Sequence, residues 1–362
     1  MKTTSLQTLP DDAGVLICGH GSRARIAEKE FSLLANGLAK RFPSLKIGYG
    51  FLEYSAPNIH MALDDLVAQG VNTLYAVPGM LFAATHAQND IPSVLTTYQN
   101  KHPNLSIEYG KELGLHPFMI QAFQSRILEI LGKNSVNDGE LYDTMLVVVG
   151  RGTSVSEANA EVAKLTRIVC ENLGFGWAQT VYSGVTFPSV GAGLDMAVKL
   201  GFKKIVVAPY FLFGGKLIDR IHAYVNDVAT KNPHITFMTT GYLKDHHQVL
   251  DTFEQRIVET INGPAPALRL MDDFKARLAR GEVDIHHHHA EFKPHNHNHD
   301  NHDHGHSHSH APYKHIGHPQ GPRTMINDNL CCCFMSQFPQ SIIDEEQAKK
   351  APRDRIPSCK KN

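Results

Sequence analysis

The sequence predicts an α/β protein of two tandem lobes, each a parallel sheet covered by helices, followed by a tail that belongs to neither. Three observations predict it. The chain repeats itself at a spacing of 131 residues, each repeat alternates short apolar runs with helical periodicities, and the composition changes abruptly after about residue 263. At that spacing Gly19-His20-Gly21-Ser22 falls on Gly150-Arg151-Gly152-Thr153, and Phe31, Leu34, Leu38 and Phe42 fall on Val162, Leu165, Val169 and Leu173. Pro57, Gly70, Pro78, Phe82 and Gly110 fall on Pro188, Gly201, Pro209, Phe213 and Gly241. An ungapped match over more than ninety positions signals duplication and fusion.

Each element follows from local chemistry. Val15-Leu16-Ile17-Cys18 is an apolar run ending at a glycine turn, as a buried parallel strand should. Phe31, Leu34, Leu38 and Phe42 are spaced 3, 4 and 4 apart, which puts them on one helix face. A second strand is expected at 47–52. A second helix carries Ile59, Leu63 and Leu66 and stops at Gly70, where a left-handed cap is needed. Strands at 74–77 and 105–109 complete the first lobe, and the second repeats them at 146–149, 180–185, 205–208 and 235–238. Strict alternation of β and α implies a doubly wound, flavodoxin-like parallel sheet with helices on both faces. The polar segment 132–140 is the natural seam. The expected domains are therefore 1–135, 136–262 and a tail at 263–362.

Gly263-Pro264-Ala265-Pro266 breaks the last helix of the second lobe, and a short charged helix is expected at 267–280. The stretch 286–318 then holds 14 of the chain's 23 histidines among Asn, Asp, Ser and Gly. Such a segment has nothing with which to build a core and is expected to be disordered without a ligand.

A length of 362 residues suits two domains of roughly 150 residues plus extras, and 42% apolar content is ample for two cores. The formal net charge of −1 argues against a general nucleic-acid binder, which needs a basic surplus. No apolar run approaches the roughly 18 residues of a membrane span, and Met1-Lys2-Thr3-Thr4-Ser5 leads into Asp11-Asp12 without a signal core. Six cysteines, four of them in the last tenth of the chain, do not make a disulfide framework. A reducing cytoplasm is the expected setting. Cys18 and Cys170 are expected as buried small hydrophobes.

The two copies disagree where chemistry is available: His20 meets Arg151, and His86 meets Leu217. Ligands in open α/β sheets bind beyond the carboxyl ends of the strands. His20 lies there after the first strand and His86 after the third, and those strands are neighbours in most doubly wound orders. Glu53 follows the second strand on the same edge. Neutral imidazoles suit Co(II), Ni(II), Fe(II) or Zn(II), and a carboxylate ligates or takes a proton. Read alone, the glycine motif equally suits a tight turn that binds an anion at a helix N-terminus. A histidine phosphatase wants an arginine immediately before the histidine, and this chain has Gly19.

Gly19-His20-Gly21-Ser22-Arg23, Phe51-Leu52-Glu53, and the run from Val77-Pro78-Gly79-Met80 through Ala84-Thr85-His86 to Asn89-Asp90-Ile91-Pro92 together resemble the sirohydrochlorin cobaltochelatases. These are class II chelatases, which work without ATP. The resemblance covers about residues 12–262 and matches the long, duplicated form, whose tail carries a histidine-rich stretch and cysteines. It implies the chelatase-like fold and insertion of Co(II), the substrate metal, into sirohydrochlorin for cobalamin biosynthesis. It implies His20 and His86 as the metal-handling pair, with Glu53 beside them in catalysis. Ferrochelation to sirohaem is the alternative within the class, and a non-enzymatic metal-storage or metal-delivery protein the alternative outside it.

The implied substrate is a flat macrocycle edged with carboxylates, and the space between two lobes suits it. Arg23, Arg25, Arg151, Lys216 and Arg220 lie on strand-end loops where they are expected to meet those carboxylates. The second lobe is then expected to bind without reacting. The partners are sirohydrochlorin and a divalent ion, with neither nucleic acid nor membrane, and the chain is expected to be a monomer of pseudo-dimeric lobes. The histidine tract reads as a metal reservoir, with a solvated linker as its plain alternative. Long-form relatives carry an iron–sulfur cluster, but the adjacent Cys331-Cys332-Cys333 point apart. With Cys359 they leave a cluster or a soft-metal site as the alternatives for the tail.

Overall fold

The computed structural model describes residues 10–137, 139–263 and 270–281, with 283 and 348 as isolated positions. The tract 286–318 and Cys331, Cys332, Cys333 and Cys359 lie outside the described residues. The first lobe runs β1 Ala13–Gly19, α1 Arg25–Arg41, β2 Lys46–Phe51, α2 Ile59–Ala68 and β3 Thr73–Pro78. A π-turn, His86–Asp90, then leads into α3 Ile91–Lys101, followed by β4 Ser106–Tyr109 and α4 Pro117–Leu131. The second lobe repeats the plan with β5 Thr144–Gly150, α5 Ser156–Leu173, β6 Trp177–Tyr182, α6 Val190–Lys199, β7 Lys204–Pro209, α7 Lys216–Lys231, β8 Thr236–Thr239 and α8 His247–Asn262. A last helix, α9, spans Leu270–Ala279. Each lobe has a four-stranded parallel sheet, β2-β1-β3-β4 and β6-β5-β7-β8. Every residue of the central strands β1 and β5 is buried, as their unbroken apolar runs require. No helix among the described residues is long and apolar enough to cross a membrane.

β6 begins and ends three residues earlier than its apolar pattern indicates, because its ladder with β5 sets Trp177 opposite Met145 and Tyr182 opposite Gly150. It is an edge strand, and its first four residues are at most half-buried. Burial pattern is therefore a poor guide to where it starts.

The repeat is not ungapped. The hydrogen bond from Gly79 N to Cys18 O recurs as Tyr210 N to Val149 O, a spacing of 131 on both sides. Past the next helix, Gly110 N bonds to Ala76 O while Thr240 N bonds to Val207 O. Gly110 thus corresponds to Thr240 and not to Gly241, and the spacing has fallen to 130. The slip lies in the helix that starts at His86. There the N–H of Ile91 reaches the carbonyl of His86, five residues back, where an α-helix would reach four. α7 in the second lobe is an ordinary α-helix. A π-turn is an α-helix with one residue let in, and it accounts for the extra residue of the first lobe.

The lobes also exchange their last helices. α8 of the second lobe packs on β3 and α1 of the first, and α4 of the first packs on α5 and β7 of the second. One apolar cluster runs through both lobes, with Phe123 of α4 and Phe253 of α8 fully buried in it. The exchange is reciprocal in detail. Arg126 donates to the carbonyl of Leu243 at 3.0 Å, and Arg256 donates to that of Leu113 at 2.8 Å. Such paired contacts mark a pseudo-twofold axis between lobes. The seam at 132–140 divides the sequence, but one core cluster is shared between the halves, beside a separate cluster in each.

Nor is the whole tail outside the core. Helix α9 lies within the expected 267–280, and Met271, Phe274 and Val283 are buried in the core of the first lobe. The stretch read from composition as coreless, 286–318, lies outside the described residues.

Candidate metal site

Backbone geometry brings His20 to the carboxyl edge of the first sheet. Leu52 N bonds to Gly19 O and Glu53 N to His20 O, so the loops after β1 and β2 continue the pairing of their strands. Gly21 makes this approach possible: its φ is +91°, and a Cβ there would lie 1.7 Å from the Glu53 carbonyl oxygen. Ser55 Oγ clamps the loop, accepting from Ser22 N at 2.9 Å and donating to Ser22 O at 3.0 Å.

The third residue arrives from the π-turn. The rings of His20 and His86 meet edge to face with centroids 4.3 Å apart. His20 Nδ1 lies 3.5 Å from Glu53 Oε1 and, though buried, has no hydrogen-bond partner. His20, Glu53 and His86 each offer a ligand atom within 4.8 Å of the others, a span a divalent ion can bridge. They form the one such group among the described residues. The sequence reading brought these three residues together, and the structure does the same.

Behind His86 stands a residue that sequence reasoning passed over. Asp90 Oδ2 bonds to His86 Nδ1, and this carboxyl is buried. A carboxylate behind an imidazole fixes its tautomer and directs the other nitrogen, here Nε2, to a ligand. The spacing of four residues within a helical turn was the signal that pointed to it.

Burial, then the neighbouring Arg151 guanidinium, then His86 hold His20 well below the usual imidazole range. The ring is therefore neutral at pH 7, which a metal ligand must be. Arg151 comes from the second lobe, and its Nη2 lies 3.3 Å from His20 Nε2.

The site opens into a cleft of about 570 Å³ between the lobes. Arg23, Arg151 and Lys216 line it, as do Phe82, Tyr210 and Leu217. Arg23 also stacks on the Tyr54 ring at 4.8 Å. Arg25 and Arg220 are not among the lining residues. Arg25 opens α1 with an exposed side chain, and Arg220 lies a turn further along α7 than Lys216. Buried Tyr210 was also missed; its hydroxyl has no hydrogen-bond partner, and apolar neighbours on β7's flank concealed it in the sequence.

The same place in the second lobe holds different chemistry. Arg151 replaces His20, and Gly184 replaces Glu53 at the constant spacing. Leu217 lies in the cleft wall where His86 has its counterpart. The loop clamp survives as Thr186 Oγ1 donating to Thr153 O at 2.9 Å. Asn159 reinforces it by bonding both the N–H and the carbonyl of Thr153. The second loop is locked and carries no ligand set.

Comparison with known proteins gives the family. The sequence model of the CbiX family matches residues 14–130 and again 145–260. A sirohydrochlorin cobaltochelatase of Priestia megaterium is 33% identical over 250 residues, covering 69% of this chain and 80% of that protein. A sirohydrochlorin ferrochelatase of the same organism is 26% identical over 235 residues, covering 65% and 85%. The structure of SirB from Bacillus subtilis with Fe3+ superposes with a TM-score of 0.61 at 25% identity, covering 69% of this chain and 95% of that one. Matched twice along its length by the family model, this chain belongs to the CbiX family of chelatases.

Proposed function

We propose that this protein inserts Co(II) into sirohydrochlorin without ATP. The observation that carries the reading is the set His20, Glu53 and His86 at the edge of an interlobe cleft lined with Arg23, Arg151 and Lys216. In this reading the macrocycle enters the cleft and its carboxylates engage the three cationic side chains. Co(II), a substrate, is held by His20 and His86 before transfer. Two pyrrole protons must leave as the ion enters. Glu53 accepts one; His86, with Asp90 behind it to compensate the charge of an imidazolium, accepts the other. Weak, few-ligand coordination allows the ion to be surrendered to four pyrrole nitrogens.

The ferrochelatase relative favours Fe(II) as a second reading. First-row ions bound by imidazole and carboxylate are sorted by geometry and supply more than by ligand type. An anaerobic absorbance assay of purified protein with sirohydrochlorin and Co(II), Fe(II) or Ni(II) decides between them. Faster spectral conversion with Co(II) supports the proposal, and preference for Fe(II) moves the protein to the sirohaem branch. No acceleration over the uncatalysed reaction with any ion leaves storage or delivery as the function. We further propose that the tract 286–318 supplies metal to the site when the ion is scarce, through a raised local concentration.

A further inference from the structure

We propose that helix α9, which lies beyond both lobes, is a working part of the metal site, and that Arg277 is a positioning residue for His86. The proposal rests on reading His86 as a metal ligand. Inserting one residue into a helix breaks the regular ladder of carbonyls, and these must find other donors. At the π-turn the N–H of Ile91 is given to His86, so Ala87, its α-helical partner, loses that donor. The hydroxyl of Tyr109, on β4, donates to the Ala87 carbonyl instead, at 3.0 Å. The next carbonyl is Gln88, and the residue four further on is Pro92, which has no N–H to offer. Arg277 of α9 donates to it at 2.9 Å.

Arg277 is 8% exposed, so the bond is made out of water. The helix is held to the lobe by Phe274, fully buried, by Met271, and by Thr96 donating to the Met271 sulfur at 3.7 Å. A guanidinium seated this way fixes the carbonyl between His86 and Asp90, the two residues whose hydrogen bond aims the imidazole. The second lobe has an unbroken α7 and no candidate metal group among the described residues, and α9 packs on the π-turn, α3 and β4 of the first lobe.

The test uses the full chain with wild type, Arg277→Met, Arg277→Lys and His86→Ala side by side. Metal insertion into sirohydrochlorin is followed as kcat and as KM for the tetrapyrrole. Amide hydrogen exchange is followed in peptides covering 84–93 and, as reference, 144–150. Arg277→Met, which keeps the stem and loses the donor, is expected to lower kcat about tenfold or more, the usual cost of removing an outer support of a metal ligand. KM for the tetrapyrrole should hold, exchange should speed up in 84–93 alone, and Arg277→Lys should recover much of kcat. Wild-type kcat in Arg277→Met overturns the proposal. So does equal loss in the Met and Lys variants with exchange rising in both regions, which would make α9 ordinary core packing. If Arg277→Met does not accumulate in folded form, Phe274→Leu loosens the same helix and is read by the same measures. An inactive wild type, or a His86→Ala variant as active as wild type, removes the reading of the site and overturns the proposal with it, whereas wild-type kcat in Arg277→Met beside an impaired His86→Ala overturns the proposal alone.

Discussion

The two walls of the cleft descend from one sequence and now differ in what they offer a ligand. The first wall presents His20 and Glu53 on loops clamped by Ser22 and Ser55, and His86, backed by buried Asp90, on the π-turn. The second presents Arg151 on a loop clamped by the equivalent Thr153 and Thr186, with Asn159 added, and Lys216 and Leu217 at the start of α7. The strand order and the loop clamps have been kept on both walls, while the π-turn and the candidate set His20, Glu53 and His86 occur once among the described residues. Scaffold and chemistry are thus separable in this fold, because the site sits on strand-end loops that bear little of the core.

The largest expected effect breaks that division of labour from the reactive side. His20→Ala and His86→Ala should each lower the insertion rate by about a hundredfold or more, through loss of a ligand or a proton acceptor. Each should cost only about 1 kcal/mol of stability, as a partly exposed loop residue does. His102, stacked on Tyr98 beyond the far end of α3, should tolerate Ala with unchanged rate. Near-normal rates in both folded variants would place the active site elsewhere.

Asp90→Asn comes next. It keeps the shape behind His86 and removes the charge, and about a ten- to hundredfold loss in metal affinity or rate is expected. The cost should fall on kcat and metal affinity and leave tetrapyrrole affinity alone, because Asp90 is buried behind the ring. Loss of tetrapyrrole affinity would show that Asp90 serves the cleft as a whole.

Cobalt soaked into crystals sharpens the comparison itself. Anomalous scattering is expected between His20, Glu53 and His86 and absent beside Arg151 and Leu217. A peak in the second wall would overturn the asymmetry.

A truncation after residue 283 should leave insertion unchanged at saturating cobalt and slow it several-fold when cobalt is scarce, by loss of local concentration. The cut must not fall at 265, since α9 is part of the first core. Equal rates at the lowest cobalt would make the histidine tract a linker.

The smallest effect concerns Arg151→Met. Burial first and Arg151 second hold His20 below its ordinary value, so protons compete with the metal only at pH well under 6.5. Removing the guanidinium should move the acid limb of cobalt binding to higher pH, toward the ordinary imidazole range. An acid limb that stays in place would mean that burial alone sets it.

Much of this is legible in the sequence. Repeated glycines and apolar spacings gave the strands, and the discord of His20 with Arg151 marked the asymmetry. Three features were hidden. The one-residue slip escaped because Gly241 lies beside Thr240 and mimics continued register with Gly110. The exchanged helices escaped because amphipathic spacing tells that a face is buried and not against which lobe. The packing of helix α9 on the first lobe escaped because its charge outweighs its buried Met271 and Phe274, and Arg277 hides its own role by being a cation in a buried place.

The contact between His20 and Arg151 has a consequence for how the molecule arose. These are equivalent positions, and equivalent positions can touch one another only at the axis that relates the two halves. In a pair of identical chains the axis would put a side chain against its own copy, and every mutation there would be inherited on both sides at once. Such a position is free to improve only in ways that suit both faces. Joining the halves covalently lifts that obligation, so one gene can carry histidine on one side of the axis and arginine on the other. The short link near residue 138 is therefore where selection gained the freedom to tell the two walls apart.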